Sequence, residues 1–258
     1  MTMKRLYTLI LSLAITLASA NIAIAVSFNN ESLNYKVMYK WGVVNKQAGH
    51  ATLSLKRQGN QYITQLTAAS EHWADRFYKV RDTLNGNIVI NGFRPTFYEK
   101  IAHEGGEHKH DIVRYSRSGS NVTGNCTRRV VNKKGQLTKN EKRSLTAIGT
   151  TLDMLSSFYY MRSLPYNTYR AGHPITVNVF SGKRKELLTI KYIGTEKINV
   201  DKKTYNCYHI RFTFTGDGGK KTSDDMDAWI STEPNHIPIK LEGKLKVGKV
   251  QCYYTGSN

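Results

Sequence analysis

Cysteine is scarce in this chain. Its 258 residues carry three, Cys126, Cys207 and Cys252, and no two stand in a Cys-x-x-Cys spacing. That excludes the paired-thiolate zinc sites and thiol–disulfide centres which such a spacing builds. An odd count in an oxidising compartment allows at most one internal pair and a leftover thiol, and Cys207 with Cys252, in two late predicted strands, is the candidate pair. Catalytic signatures are missing as well. There is no Gly-x-Ser-x-Gly elbow and no glycine-rich phosphate loop ahead of a helix. A nucleophile pair built from Cys207 and His209 is set aside on the reading that they leave their strand on opposite faces. Acidic residues are few, 19 against 38 Lys and Arg, for a formal net charge of +19.

What is present begins with a leader. Lys4 and Arg5 precede an apolar run over 6–20, and Ala23-Ile24-Ala25 supplies a small-x-small cleavage pattern. The run is too short for a membrane span and lacks a basic stop, so 1–25 reads as a signal peptide and 26–258 as the mature chain, with no transmembrane segment left after cleavage. No cysteine follows the run, which argues against a lipid-modified N-terminus. The expected location is the periplasm or the periplasmic face of the outer membrane. Removing Lys4 and Arg5 leaves 36 − 19 = +17 on 258 − 25 = 233 residues. An exported chain with scattered lysines and no RNA-binding aromatic motif is not expected to bind nucleic acid. An anionic lipid or acidic polysaccharide suits it better.

The rhythm of the mature chain is that of strands. Apolar and polar residues alternate from Leu33 to Tyr39 and from Ala51 to Leu55. Further strands are expected around 62–70, 77–85, 97–103, 111–115, 175–180, 187–192, 205–214, 226–230, 237–241 and 250–254. Turn signals such as Asn85-Gly86-Asn87, Asn91-Gly92 and Ser118-Gly119 fall among them. This spacing predicts an all-β antiparallel roll, barrel or sandwich. One segment breaks the rhythm. Thr150 with Asp153 offers a cap, Leu152, Leu155 and Tyr159 recur at helical spacing, and Pro165 stops the run, so a single helix is expected over about 150–164. It divides an N-terminal β half (26–132), followed by a basic loop (133–146), from a C-terminal β half (170–258), all within one domain.

The stretch Ile101-Ala102-His103-Glu104-Gly105-Gly106-Glu107-His108-Lys109-His110-Asp111 is the nearest thing to a chemical cluster. A zincin helix needs His-Glu-x-x-His, but here the second histidine comes one residue late and the paired glycines oppose a helix. On a strand His108 and His110 point to one side, a weak surface arrangement at most. The stretch therefore reads as a hairpin tip, with His103, His108 and His110 as weak metal candidates and no cofactor expected. Ser223-Asp224-Asp225-Met226-Asp227 gathers carboxylates but lacks the twelve-residue calcium-loop pattern.

Several pieces resemble one exported bacterial family, domain of unknown function 3108. They are Tyr39-Lys40-Trp41-Gly42, Ala48-Gly49-His50-Ala51, Val80-Arg81-Asp82, Pro95, Glu104-Gly105, Leu152-Asp153-Met154-Leu155-Ser156, Tyr159-Tyr160-Met161-Arg162, Trp229-Ile230-Ser231, Ile237-Pro238-Ile239 and Val247-Gly248. The resemblance spans nearly all of the mature chain. It implies a spiral β-roll, a fold also associated with outer-membrane proteins of capsule export, and it implies no activity and no catalytic residues.

Gly42, Gly49 and Gly248 suit bulges or tight bends. Trp41, Trp229, Tyr159 and Tyr160 are expected to fill the core. Asp82, Asp153 and Arg162 either form a partly buried ion pair that pins the helix or line a ligand cleft. The expected function is a non-enzymatic binding or scaffolding module for a lipid or acidic glycan, with Trp41, Asp82, Asp153, Tyr159, Arg162 and Trp229 as candidate ligand-binding residues. The rival readings are a glycan-acting hydrolase with paired carboxylates, such as Asp82, Glu104 or Asp153, and an architectural subunit of an envelope or capsule-export complex.

Overall fold

A computed structural model describes residues 27–257 apart from 217 and 218. The signal peptide expected over 1–25 lies outside the described residues. Eight strands come first: β1 (Glu31–Trp41), β2 (Val44–Gln58), β3 (Gln61–Ser70), β4 (Val80–Val89), β5 (Arg94–Glu104), β6 (Glu107–Ser118), β7 (Asn121–Val131) and β8 (Leu137–Ile148), with a short helix, α1 (His72–Tyr78), between β3 and β4. A two-residue strand, β9 (Thr151–Leu152), leads into α2 (Met154–Ser163). The rest is β10 (Pro174–Phe180), β11 (Lys185–Val200), β12 (Lys203–Thr215), β13 (Met226–Ser231), β14 (Pro238–Lys244) and β15 (Lys249–Ser257).

All fifteen strands belong to one sheet, in the order β8-β7-β6-β5-β4-β3-β2-β1-β15-β14-β13-β12-β11-β10-β9. Each neighbour is antiparallel except the β9–β10 pair. The order is a single meander sewn together where the last strand meets the first, Val37 opposite Cys252. The two sheet edges, β8 and β9, are then consecutive in sequence. The sheet curls so that Arg117 of β6 donates to the Thr151 carbonyl (3.2 Å) and Tyr115 to that of Leu152 (3.3 Å). The result is a nearly closed barrel-like roll, an all-β fold as the alternation predicts.

The interior follows from period two. Leu33, Tyr35, Val37, Tyr39 and Trp41 share one face of β1, and Leu33 and Tyr35 are buried in a cluster with Leu55, Tyr62, Ile88 and Tyr98. A second cluster gathers Val179, Leu188, Ile190, Ile210 and Ile230. Met154, Phe158 and Tyr160 of α2 pack against both clusters, so the helix joins the two halves of the roll. Leu155 and Tyr159 are fully buried, and burying each such side chain is worth about 1.5–3 kcal/mol.

Several expectations need correction. The helix starts at Met154, not 150, because Asp153 is its cap: the carboxylate accepts from the N–H groups of Leu155 (2.8 Å) and Ser156 (2.6 Å), while Ser156 Oγ accepts from the Asp153 N–H (2.8 Å). The basic loop expected over 133–146 is mostly β8. That edge strand is exposed on nearly every residue, so no alternation marks it. Residues 72–78, partly read as strand, form α1, which buries no side chain and so carries no apolar period. All three cysteines are free thiols. Cys252 packs inside the roll and Cys207 in a small cluster on the other face, so they are not placed to pair. Gly105 and Gly106, both at positive φ (+57° and +89°), make the two-residue turn between β5 and β6, as a tight hairpin requires.

Candidate functional site

The two helices sit at opposite ends of the first strands. α2 reaches the far end, where Tyr159 donates to the Ser54 carbonyl (3.0 Å) and Leu155 fills the space beside Gly86. α1 lies across the near end and is held by polar contacts. The Glu71 N–H donates to the Ala48 carbonyl (2.8 Å), and Trp73 Nε1 donates to the Gln47 carbonyl (2.7 Å). Asp75 forms an ion pair with Arg81 (2.8 Å) and accepts from Ser70, contacts that hold its carboxyl below the usual range.

Between α1 and the mouth of the roll lies a groove of about 650 Å³. That falls within the range of small-molecule sites, about 300–1,000 Å³. Its floor continues the inner face of β1 through Val37, Tyr39 and Trp41, and the small residues Ala48, Ala68 and Ala69 leave the space open. Trp73, Phe77 and Tyr78 of α1 form one wall, and Leu245 and Val250 close the other. The wall is almost wholly apolar. No lysine, arginine, aspartate or glutamate lines it.

The inner faces of β4 to β7 carry a separate polar cluster. Glu104 accepts from Lys100 (3.0 Å) and Lys109 (2.9 Å). Burial works against its ionisation, but the two ammonium groups outweigh burial and hold the carboxyl down at about 2. Asp82 is in hydrogen-bond contact with Glu104, and burial together with that neighbour pushes it up to about 6. One Nη of Arg128 donates to both carboxylate oxygens of Asp111 (2.8 and 2.7 Å). Asp82 and Glu104 thus touch each other, closer than the roughly 5–10 Å by which glycoside hydrolases separate their carboxyls. Neither lines the groove.

The predicted site residues are dispersed. Trp41, expected in the core, is 58% exposed and lines the groove. Asp82 lies in the polar cluster. Asp153 is buried as the α2 cap, with one carboxylate oxygen unpartnered, and burial, only partly offset by Ser156 and Leu155, pushes it up to about 7. Tyr159 and Arg162 do come together, the guanidinium lying 5.4 Å from the ring centre. The ion partner of Arg162 is Glu31, not Asp82 or Asp153. Trp229 faces away from the roll's interior, stacked on His209 at 4.5 Å, with Lys240 at 4.0 Å.

The histidine-rich stretch and the cysteine–histidine pair resolve differently. His103 and His108 face each other across the hairpin (4.3 Å between rings), while His110 contacts Glu99 (2.8 Å). Among the described residues no group of three or more His, Cys, Asp or Glu is placed to hold a metal. Cys207 and His209 share a face of β12, since they are two residues apart, which corrects the sequence reading. What disarms them is chemistry. Both His209 nitrogens are occupied by Glu196 (2.8 Å) and Asp227 (2.7 Å), and burial pushes the Cys207 thiol up to about 12.

Of the groove residues only Trp41 was a candidate ligand-binding residue; Tyr39, Ala48, Gly49, His50 and Val80 stand in the family-resembling pieces without a binding role, and the rest were not singled out. A signal was present: aromatic or aliphatic tips bracketed by lysines at Lys40-Trp41-Gly42-Val43-Val44-Asn45-Lys46 and Lys244-Leu245-Lys246-Val247.

Fold and groove together define an antiparallel barrel-like roll with an apolar cleft at one mouth. The pattern of the family described as "Protein of unknown function (DUF3108)" matches residues 34–255, and the chain belongs to that family. Among curated proteins none matches it. Among solved structures, the chain is similar to a beta-barrel-like protein of the domain of unknown function DUF1849 from Brucella abortus. The two are 9% identical, with a TM-score of 0.61 over 90% of this chain and 98% of that one. Looser matches are the hypothetical lipoprotein YmcC of Escherichia coli (10% identity, TM-score 0.31, 96% of this chain and 94% of that one) and the lipoprotein LppX of Mycobacterium tuberculosis (13%, 0.27, 88% and 86%). No helix among the described residues is long and apolar enough to cross a membrane.

Proposed function

We propose that the protein is an exported, single-domain binding module of the cell envelope whose groove takes the hydrocarbon part of a lipid. The groove itself carries this reading: about 650 Å³ of space walled by Val37, Trp41, Trp73, Phe77, Leu245 and their neighbours. An apolar wall of that kind favours a ligand whose own surface is apolar, at about 0.8 kcal/mol for each methylene removed from water. The leader-like N-terminus supports an envelope location, in the periplasm or on the periplasmic face of the outer membrane. The positive charge of the mature chain supports an anionic head group outside the groove. A free acidic glycan fits less well, because Trp229 is already covered by His209 and Lys240. Against hydrolysis by paired carboxylates stands the placement of Asp82 and Glu104, which lie among Lys100 and Lys109 and do not line the groove.

Incubation with fatty acids and phospholipids followed by native mass spectrometry tests the reading. A one-to-one complex is expected for the wild type and is lost in Ala68→Phe, which places a ring in the cleft. If no stoichiometric species forms and the melting temperature never moves, the groove does not bind lipid.

A further inference from the structure

Three turns meet at the rim of the groove, and each has the same grammar. They are Lys40-Trp41-Gly42-Val43-Val44-Asn45-Lys46 between β1 and β2, Arg76-Phe77-Tyr78-Lys79 at the end of α1, and Lys244-Leu245-Lys246-Val247-Gly248-Lys249 between β14 and β15. Trp41, Val44, Phe77, Tyr78 and Leu245 converge on one cavity, and Tyr39 donates to the Val247 carbonyl (3.2 Å), which ties the first and third turns together. Among the described residues, seven of the eleven large hydrophobic side chains that are exposed lie on these turns. Val43 is fully exposed and Phe77 is 83% exposed. The turns also hold seven Lys or Arg and no Asp or Glu. The nearby carboxylates are engaged: Asp75 with Arg81, Glu71 with Gln47, and Glu242 with Lys240 and with Lys249 of the third turn.

We propose that this rim docks on an anionic lipid bilayer, the apolar tips entering the head-group region while the lysines meet the phosphates. Charge complementarity selects this occupant. Isolated apolar tips interleaved with basic residues match an interface where hydrocarbon lies beneath negative charge, whereas a protein partner calls for a continuous packed core. Each Lys or Arg held near such a surface adds to the attraction, and salt weakens it. Docking in this orientation turns the groove mouth toward the hydrocarbon, so that a chain enters it without crossing water. The proposal goes beyond groove occupancy, because the rim binds a surface rather than a single molecule.

The test is sedimentation of the mature chain with phosphatidylcholine vesicles containing about one third phosphatidylglycerol, against pure phosphatidylcholine vesicles. The variant is Val43→Asp/Val247→Asp, at two exposed positions that do not line the groove. Wild type should partition at least tenfold more strongly to the anionic vesicles, and half-molar salt should reduce that preference. The double variant should lose at least tenfold in partitioning while keeping its circular dichroism and its fatty-acid complex in native mass spectrometry. Equal partitioning of wild type and variant, or no binding of wild type to anionic vesicles, overturns the proposal. Vesicle binding that survives Ala68→Phe leaves docking intact even if the groove proves empty of lipid, so the two readings fail separately.

Discussion

Removing the Glu31 carboxylate by Glu31→Gln should destabilise the protein severely, through Arg162. The Arg162 side chain has no exposed surface. Its Nε donates to the His236 carbonyl (3.0 Å), one Nη donates to the Asn235 carbonyl (2.9 Å), and both Nη atoms donate to Glu31. The guanidinium also lies 4.3 Å from the centre of the Phe28 ring. Glu31 supplies the only negative charge in ion-pair contact with it among the described residues. Breaking a buried pair on one side costs about 3–5 kcal/mol, because a charge is left uncompensated out of water. The Glu31 side chain keeps 13% of its surface exposed, which points to the lower end, about 3 kcal/mol. For a chain of this size each kcal/mol moves the midpoint by about 2–4 °C, so thermal unfolding followed by circular dichroism should show a fall of roughly 6–12 °C. The double variant Glu31→Leu/Arg162→Met, which removes both charges and keeps volume, should recover most of the loss. A fall of less than about 1 kcal/mol for Glu31→Gln, or no recovery in the double variant, refutes the argument.

Other outcomes follow from the same physics. Burial raises Asp153 from 3.8 to about 7, so its share of the stability is complete below about pH 4 and drains away as pH climbs through 7. Asp153→Asn keeps the capping oxygen and drops the charge; it should flatten that slope and exceed wild type in urea unfolding at pH 8, and an unchanged slope counts against it. Because the cysteines are unpaired and burial pushes Cys126 and Cys252 up to about 11 and Cys207 up to about 12, alkylation at pH 8 should be slow in the folded protein. After unfolding without reductant all three should react; one reactive thiol would reveal a disulfide. For saturated fatty acids, each added methylene should tighten binding about fourfold, the equivalent of 0.8 kcal/mol, until the groove is full. Affinity independent of chain length argues for a head-group site instead.

The barrel-like roll was legible where one strand face is wet and the other dry, as from Leu33 to Trp41 along β1. It was not legible in β8, where both faces meet solvent, nor in α1, which buries nothing and is fixed by Asp75, Trp73 and Glu71 rather than by an apolar stripe. Arg162 was readable as a buried ion, but its partner stands 131 residues away in sequence, a distance over which no periodicity speaks. The groove was hidden for a related reason. Its openness depends on alanines at 48, 68 and 69, whose smallness matters only once β2, β3 and α1 are brought together. Trp41 was expected inside because aromatic residues are good core material; it stands at the mouth because β1 runs past the end of the packed interior.

The central claim is that the cleft under α1 holds a hydrocarbon chain. Photo-crosslinking with a palmitic acid analogue carrying a diazirine near its methyl end, followed by peptide mapping, tests it most directly. Adducts should concentrate on peptides containing Val37, Trp73, Phe77 and Leu245 and disappear in Ala68→Phe. Adducts scattered over the outer faces of β11 to β13, or unchanged in the filled-groove variant, would contradict it.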